Sequence, residues 1–78
     1  MVIPQKIQKG WYRHFKGGLY QVVDTVIESE SLSTMVLYRP KDSGYLWVRP
    51  YQMFISEVTR EGETHKRFTY IGESLPEY

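Results

Sequence analysis

The chain has 78 residues, a formal charge of +1 and no cysteine. That length makes one small domain, with a core that rarely supplies more than about 3–5 kcal/mol net. The missing thiols exclude disulfides, thiolate metal sites and cysteine nucleophiles, so twelve aromatic rings (three Phe, two Trp, seven Tyr) remain as the main core material.

The first eight residues mix apolar, proline and lysine positions without periodicity, and are expected as a loose arm. Lys6 and Lys9 precede no apolar run, so this is not a signal peptide. No later stretch approaches the roughly 18 apolar residues that span a bilayer. The expectation is a soluble cytoplasmic protein with no membrane contact. Charge is uneven, since residues 1–23 carry Lys6, Lys9, Arg13 and Lys16 without an acid, whereas residues 24–35 carry Asp24, Glu28 and Glu30 without a base. Such segregation is compatible with a basic patch, although a folded barrel can interleave the two segments.

A single β domain is expected over residues 9–72. Its first strand is read at Trp11–Phe15, ending in Lys16-Gly17-Gly18, where glycine supplies the positive φ of a tight turn. A second strand, Leu19–Ile27, leads through the polar Ser29–Ser33 connection to a third at Thr34–Arg39. Asp24 and Glu28 discourage edge pairing there. The fourth strand, Tyr45–Arg49, stops at Pro50, whose fixed φ suits the start of a helical turn. Pro50–Phe54 is therefore read as one short 3₁₀ or α turn that drops Met53 and Phe54 onto the open end of a barrel. The last hairpin is read with arms Ile55–Thr59 and Lys66–Ile71, closed by Arg60–Glu63. Residues 73–78 read as an acidic tail. Short strands at this spacing, with one turn of helix before the end, predict an all-β SH3-like barrel of about five strands.

Strand alternation sorts the side chains into two faces. In the fourth strand Leu46 and Val48 oppose Tyr45, Trp47 and Arg49; in the third, Met35 and Leu37 oppose Val36 and Tyr38. The simplest assignment puts the aliphatic sets inside and leaves Tyr38, Tyr45, Trp47 and Arg49 as an outward aromatic and cationic surface. The reverse assignment buries Trp47, the largest side chain of a domain short of core, and the pattern does not choose between them. In the first strand Tyr12 and His14 share a face, with Tyr12, Leu19, Tyr20 and Val22 as core candidates. His14 then needs a partner for at least one ring nitrogen, and an unperturbed imidazole titrates near 6.5, where acid–base use begins.

No motif announces catalysis. There is no nucleophile elbow, no paired-histidine spacing and no deaminase signature. Gly17-Gly18 leads into a strand, whereas a phosphate loop leads into a helix. His14 and His65 lie far apart in sequence without a carboxylate pattern, so no metal site, catalytic residue or cofactor is expected. Aromatic side chains beside arginine do form stacking platforms or cationic cages. The candidate ligand-binding set is Arg13, His14, Lys16, Tyr38, Arg39, Trp47 and Arg49. Against it stands a structural reading in which Arg39 and Arg49 pair with Asp24, Glu28 or Glu57 and the rings cover a thin core.

The stretches "YRHFKGGLYQVV", "VLYRP", "YLWVRPYQMF" and "RFTYIGE" resemble the bacterial family known as domain of unknown function 1653. Its pattern is similar to G-x-Y-R-H-[YF]-K-G-x-x-Y-x-V, then V-[VL]-Y-R, L-W-V-R-P-x-x-M-F and a closing R-F. The resemblance runs from about residue 10 to residue 72, in the same order and with similar spacing. It implies a compact β domain of the bacterial cytoplasm without an established activity. The family's polar positions then correspond to Arg13, His14, Lys16, Arg39, Arg49 and Arg67, and its aromatic ones to Tyr12, Tyr20, Tyr38, Trp47, Phe54 and Phe68. The family often has a histidine in an H-S-E-T stretch where this chain reads Glu28-Ser29-Glu30-Ser31, which weakens any two-histidine chemistry.

The leading expectation is a non-enzymatic binding module for an unknown ligand or protein. A protein–protein or self-associating module, monomer or weak homodimer, is the second reading. A nucleic-acid or nucleotide-binding protein is a third, not favoured by the near-neutral charge. A small hydrolase pairing His14 with Glu28 or Glu30 is the last.

Overall fold

Glycine, proline and acidic residues punctuate this chain closely enough that no element exceeds nine residues. The computed structural model describes residues 3–75; Met1, Val2 and residues 76–78 of the expected acidic tail lie outside the described residues. The elements are β1 Gly10–His14, β2 Leu19–Ile27, β3 Thr34–Pro40, β4 Trp47–Pro50, α1 Tyr51–Phe54, β5 Glu57–Arg60, β6 Glu63–Lys66 and β7 Phe68–Gly72. The first hairpin turns as expected: the Gly17 N–H donates to the His14 carbonyl at 2.7 Å, and Gly17 sits at φ 104°. Between β2 and β3, Glu28 replaces the missing turn glycine by folding its carboxylate over the backbone N–H groups of Glu30 (3.1 Å) and Ser31 (2.6 Å).

Two sheets result. One has five antiparallel strands in the order β4-β3-β2-β1-β7, and the other is the β5-β6 ribbon. Among the described residues no ladder joins β4 or β7 to the ribbon, so the expected barrel is open rather than closed. The departure begins at Arg67. The sequence pattern carries the second arm of the last hairpin through to Ile71, but Arg67 interrupts it. Its N–H donates to the Ser56 carbonyl (2.9 Å), its carbonyl accepts the Phe15 N–H (3.0 Å), and its Nε donates to Ser56 Oγ (3.1 Å). That anchor swings Phe68–Gly72 away from the ribbon and onto β1.

Register shifts at Val22/Asp24 in β2 and between Trp11 and Tyr12 against β7 mark bulges, each adding a residue that bends its strand. The bend lets one sheet face wrap α1. Its core is Tyr12, Val22, Val36, Tyr38, Phe54 and Phe68, with Ile7, Tyr20, Tyr51 and Tyr70 packed around them. Phe54 and Phe68 stack at 4.1 Å between ring centres, and Tyr12 meets Phe54 edge-on at 5.4 Å. Proline before α1 fixes the chain for one helical turn. That turn buries Phe54 but leaves Met53 about half exposed, so only one of the two expected plugs enters the core.

The face assignment is the reverse of the aliphatic-in expectation. Val36 and Tyr38 are buried, while Met35 and Leu37 lie on the other face. Trp47 pairs with Tyr38 and Arg49 with Val36, so both project to the core side, yet β4 is the sheet edge and overhangs the core. Trp47 therefore stays 55% exposed. The segment before β1 lies along the sheet: Ile7 packs on the core, the Gln5 N–H donates to Thr34 Oγ1 (3.0 Å), and Lys9 reaches Asp24 (3.6 Å).

Candidate functional site

His14 ends β1 on the core side, where its ring lies 4.5 Å from Phe15, 5.0 Å from Phe68 and 6.1 Å from Tyr20 between centres. The Lys16 backbone N–H donates to its Nδ1 at 3.2 Å. That bond assigns Nδ1 as the acceptor and leaves the proton of the neutral ring on Nε2. Partial burial lowers the His14 pKa, and Arg49, Arg67 and Lys16 push it the same way. Each cause opposes a further positive charge. At neutral pH His14 is therefore an uncharged hydrogen-bond donor standing among cations.

Arg49 supplies the nearest fixed charge. Alternation along β4 places it beside Trp47 and over the core rings, its guanidinium carbon 5.5 Å from the centre of Phe68 and 6.0 Å from that of Tyr38. Among the described residues no carboxylate lies within ion-pair distance of any arginine. Four of the acids are engaged elsewhere. Asp24 accepts the Thr25 N–H (2.8 Å) and contacts Lys9, Asp42 contacts Lys41 (3.1 Å), and Glu63 contacts His65 (3.5 Å). Glu28 is held below the usual carboxylate range by the Ser31 side chain and by backbone N–H groups of its own loop. The expected pairing of Arg39 and Arg49 with Asp24, Glu28 or Glu57 does not form among these residues.

The structure therefore divides the candidate set. His14, Tyr38, Trp47 and Arg49 share the core side, with Tyr38 buried as the platform beneath Arg49 rather than exposed as a contact. Arg13 and Arg39 alternate to the opposite face of the sheet. Arg39 borders a groove of about 450 Å³ with Lys9, Gln21, Val23 and Glu73, and its Nε is buried without a hydrogen-bond partner. Lys16 sits in the turn, 5.8 Å from the Phe15 ring centre.

A feature missed by sequence reasoning is a groove of about 390 Å³ between the end of β1 and the ribbon, lined by Arg13, His14, Thr64, His65, Lys66 and Thr69 among others. It brings both histidines to one surface. The Arg67 anchor sets the ribbon against the end of β1, where Arg60 also lies over the Phe15 ring at 6.0 Å, and no local pattern signals it. Among the described residues no three His, Asp or Glu side chains cluster to hold a metal ion. No helix there is long and apolar enough to cross a membrane.

Comparison with known proteins agrees with this architecture. A family model described as a protein of unknown function (DUF1653) matches residues 10–70, and the chain belongs to that family. The fold is similar to the crystal structure of a DUF1653 protein from Bordetella bronchiseptica, with a TM-score of 0.80 and 24% identity over 91% of this chain and 95% of that one. No curated protein matches the chain.

Proposed function

We propose that this member of the DUF1653 family is a non-catalytic binding module whose core-side edge, built on His14, Trp47 and Arg49, takes an anionic ligand with a planar group. The observation that carries the reading is Arg49, stacked over Phe68 and Tyr38 with no carboxylate partner among the described residues. A guanidinium laid on aromatic faces is held in place and partly stripped of water, while its N–H edge stays free for a carboxylate or phosphate. Neutral His14 adds an Nε2–H donor without adding repulsion, and exposed Trp47 offers a ring face to a planar group. Tyr38 and Phe68 serve as the floor. Lys16 and, through the shared groove, Arg13 extend the positive field, and Arg39 on the opposite face stands outside the site. The bent sheet folded over one helical turn is SH3-like in plan on this reading, with the ligand on its rim.

The test is a ¹⁵N NMR titration of the full chain with mononucleotides and with simple aromatic carboxylates, at low and at raised salt. Shifts confined to the Trp47 indole, His14 and the residues around Arg49 are expected, and Arg49→Ala should abolish them while the spectrum stays folded. Arg49→Lys should restore little, because an ammonium does not lie flat on two rings. Shifts that survive Arg49→Ala, or none with either anion class, would overturn the reading.

A further inference from the structure

β4 is the outermost strand of its sheet, and the run that leads into it is apolar and exposed. Tyr45, Leu46, Trp47 and Val48 are 78%, 49%, 55% and 51% exposed, with Met53 and Ile55 also about half exposed beside them. No acidic residue occurs from Ser43 to Ser56. Edge strands are ordinarily blunted by lysine, by a bulge or by a covering segment. Here the charged Arg49 and Pro50, both toward the far end of β4, are the residues that do so. The other edge of the sheet, β7, is treated differently: its pairing with β1 is bulged and it ends in Gly72 at φ 139°. Both features turn an edge away from further pairing.

The run Tyr45-Leu46-Trp47-Val48-Arg49 is also its own antiparallel complement. Turned about Trp47, the aromatic at one end meets the cation at the other on one face, and the two aliphatic residues meet on the opposite face. We propose that two copies of this chain pair antiparallel through β4 about a two-fold axis at Trp47. The strand extends back through Tyr45 to make one continuous sheet across the pair. Arg49 then lies between its own ring platform and the partner's Tyr45, a cation–π contact on its open side. Leu46 packs on the partner's Val48. A contact of this kind uses the same patch on both copies and closes on itself. An unrelated strand docking on this edge would leave the mirrored pattern without a cause. A pairing this short buries less than the roughly 1,200 Å² of a standard interface, so the dimer is reversible. The pair uses Arg49 and Trp47 of the ligand site, so a second copy and a ligand compete for that face, although neither reading needs the other.

Sedimentation velocity on the full chain, from low micromolar to millimolar concentration, should show a monomer passing into a dimer. Leu46→Lys, at an exposed position outside the ligand site, should abolish the dimer and leave the monomer folded. Leu46→Glu should do the same, and adding Val48→Lys to it should restore association, because the new carboxylate then faces the new ammonium. In this cysteine-free chain, Trp47→Cys should oxidise to a covalent dimer, since directly opposed residues sit at about 5 Å between Cα atoms, within disulfide reach. Val48→Cys should not, because its equivalents lie about 8 Å apart along and across the ladder. A monomer at every concentration, a dimer indifferent to Leu46→Lys, a failed rescue, or equal oxidation of the two cysteine variants would overturn the proposal. Ligand shifts lost in Arg49→Ala while Leu46→Lys retains them would uphold the binding site whatever the dimer does.

Discussion

Tyr38 and Trp47 are direct partners across one antiparallel ladder, on the same face of the same sheet, yet Tyr38 is 7% exposed and Trp47 is 55% exposed. Hydrophobicity does not separate them, and tryptophan is the larger ring. What separates them is the number of elements overhead. Tyr38 lies on an interior strand beneath Tyr20, Phe54 and Phe68, with ring centres 5.7, 6.0 and 6.5 Å away. Trp47 lies one strand further out, on the edge strand β4. In so small a fold the core rests on β7, β1, β2 and β3, and a side chain one strand-spacing of about 4.8 Å beyond them is already surface. The interior ring cluster holds the fold, and the edge is left for contact.

The comparison breaks most directly by truncating a ring on each side of that boundary. Phe54→Ala removes the ring stacked on Phe68, at a cost of about 3–5 kcal/mol. A core of this size rarely supplies more than about 3–5 kcal/mol. Circular dichroism should show the variant largely unfolded at room temperature. Trp47→Ala should cost no more than about 1 kcal/mol, as a half-exposed edge residue does, and melt close to the parent. Equal losses from the two would show that the edge belongs to the core after all.

Gly10→Ala comes next in size. A Cβ there would stand 2.6 Å from the Gly72 carbonyl oxygen at φ 136°, where β1 and β7 cross at the bulge. Backbone strain of this kind costs about 1–3 kcal/mol, read as a lower urea midpoint. Gly17→Ala has open space around it at φ 104°, so its loss should be the smaller, from conformation alone. The pair sharpens the comparison by asking whether the interior seam or the exposed turn tolerates less.

Much of this organisation is legible in the sequence. The turns at Gly17-Gly18 and Glu61-Gly62, the helical turn after Pro50 and strands β2 and β3 all follow from residue type and spacing. The facing of the strands does not. Alternation separates Val36 and Tyr38 from Met35 and Leu37, but either set makes an apolar face. Only the packing of Phe54 and Phe68 decides which is covered. Arg67 is the clearest case. Nothing local distinguishes Lys66-Arg67-Phe68 from an uninterrupted strand, and its bonds to Ser56 and Phe15 span distant parts of the chain. The meeting of His14 with His65 depends on the same anchor, and so lay beyond any motif.

Tyr12 tests the interior side with a smaller effect. Its hydroxyl donates to the Gln8 carbonyl at 2.6 Å, and burial, with Tyr70 and Tyr51 nearby, raises its pKa to about 12. Tyr12→Phe should cost about 1 kcal/mol, the worth of one such hydrogen bond. The pH dependence follows from the raised pKa. The unfolded chain ionises near 10 while the folded phenol holds its proton. Stability is therefore full below pH 10 and falls as pH rises toward 12. Urea melts across that range should show the fall in the parent and a flatter profile in Tyr12→Phe.

The smallest effect is expected where the two regions meet. His14 packs its ring on Phe68 of the interior and stands close enough to Arg49 of the edge strand to feel its charge. Burial first, then Arg49, Arg67 and Lys16, lower its pKa below the ordinary 6.5. Between the folded pKa and 6.5 the unfolded chain binds more protons, so stability is full above 6.5 and declines as pH falls through that window. An NMR titration should place the His14 ring below the ordinary 6.5. Arg49→Ala should move His14 upward by part of the gap, since burial and the other two cations remain. If Arg49→Ala leaves the His14 titration where it was, Arg49 and His14 do not share a surface, and the boundary between ring core and edge falls between them.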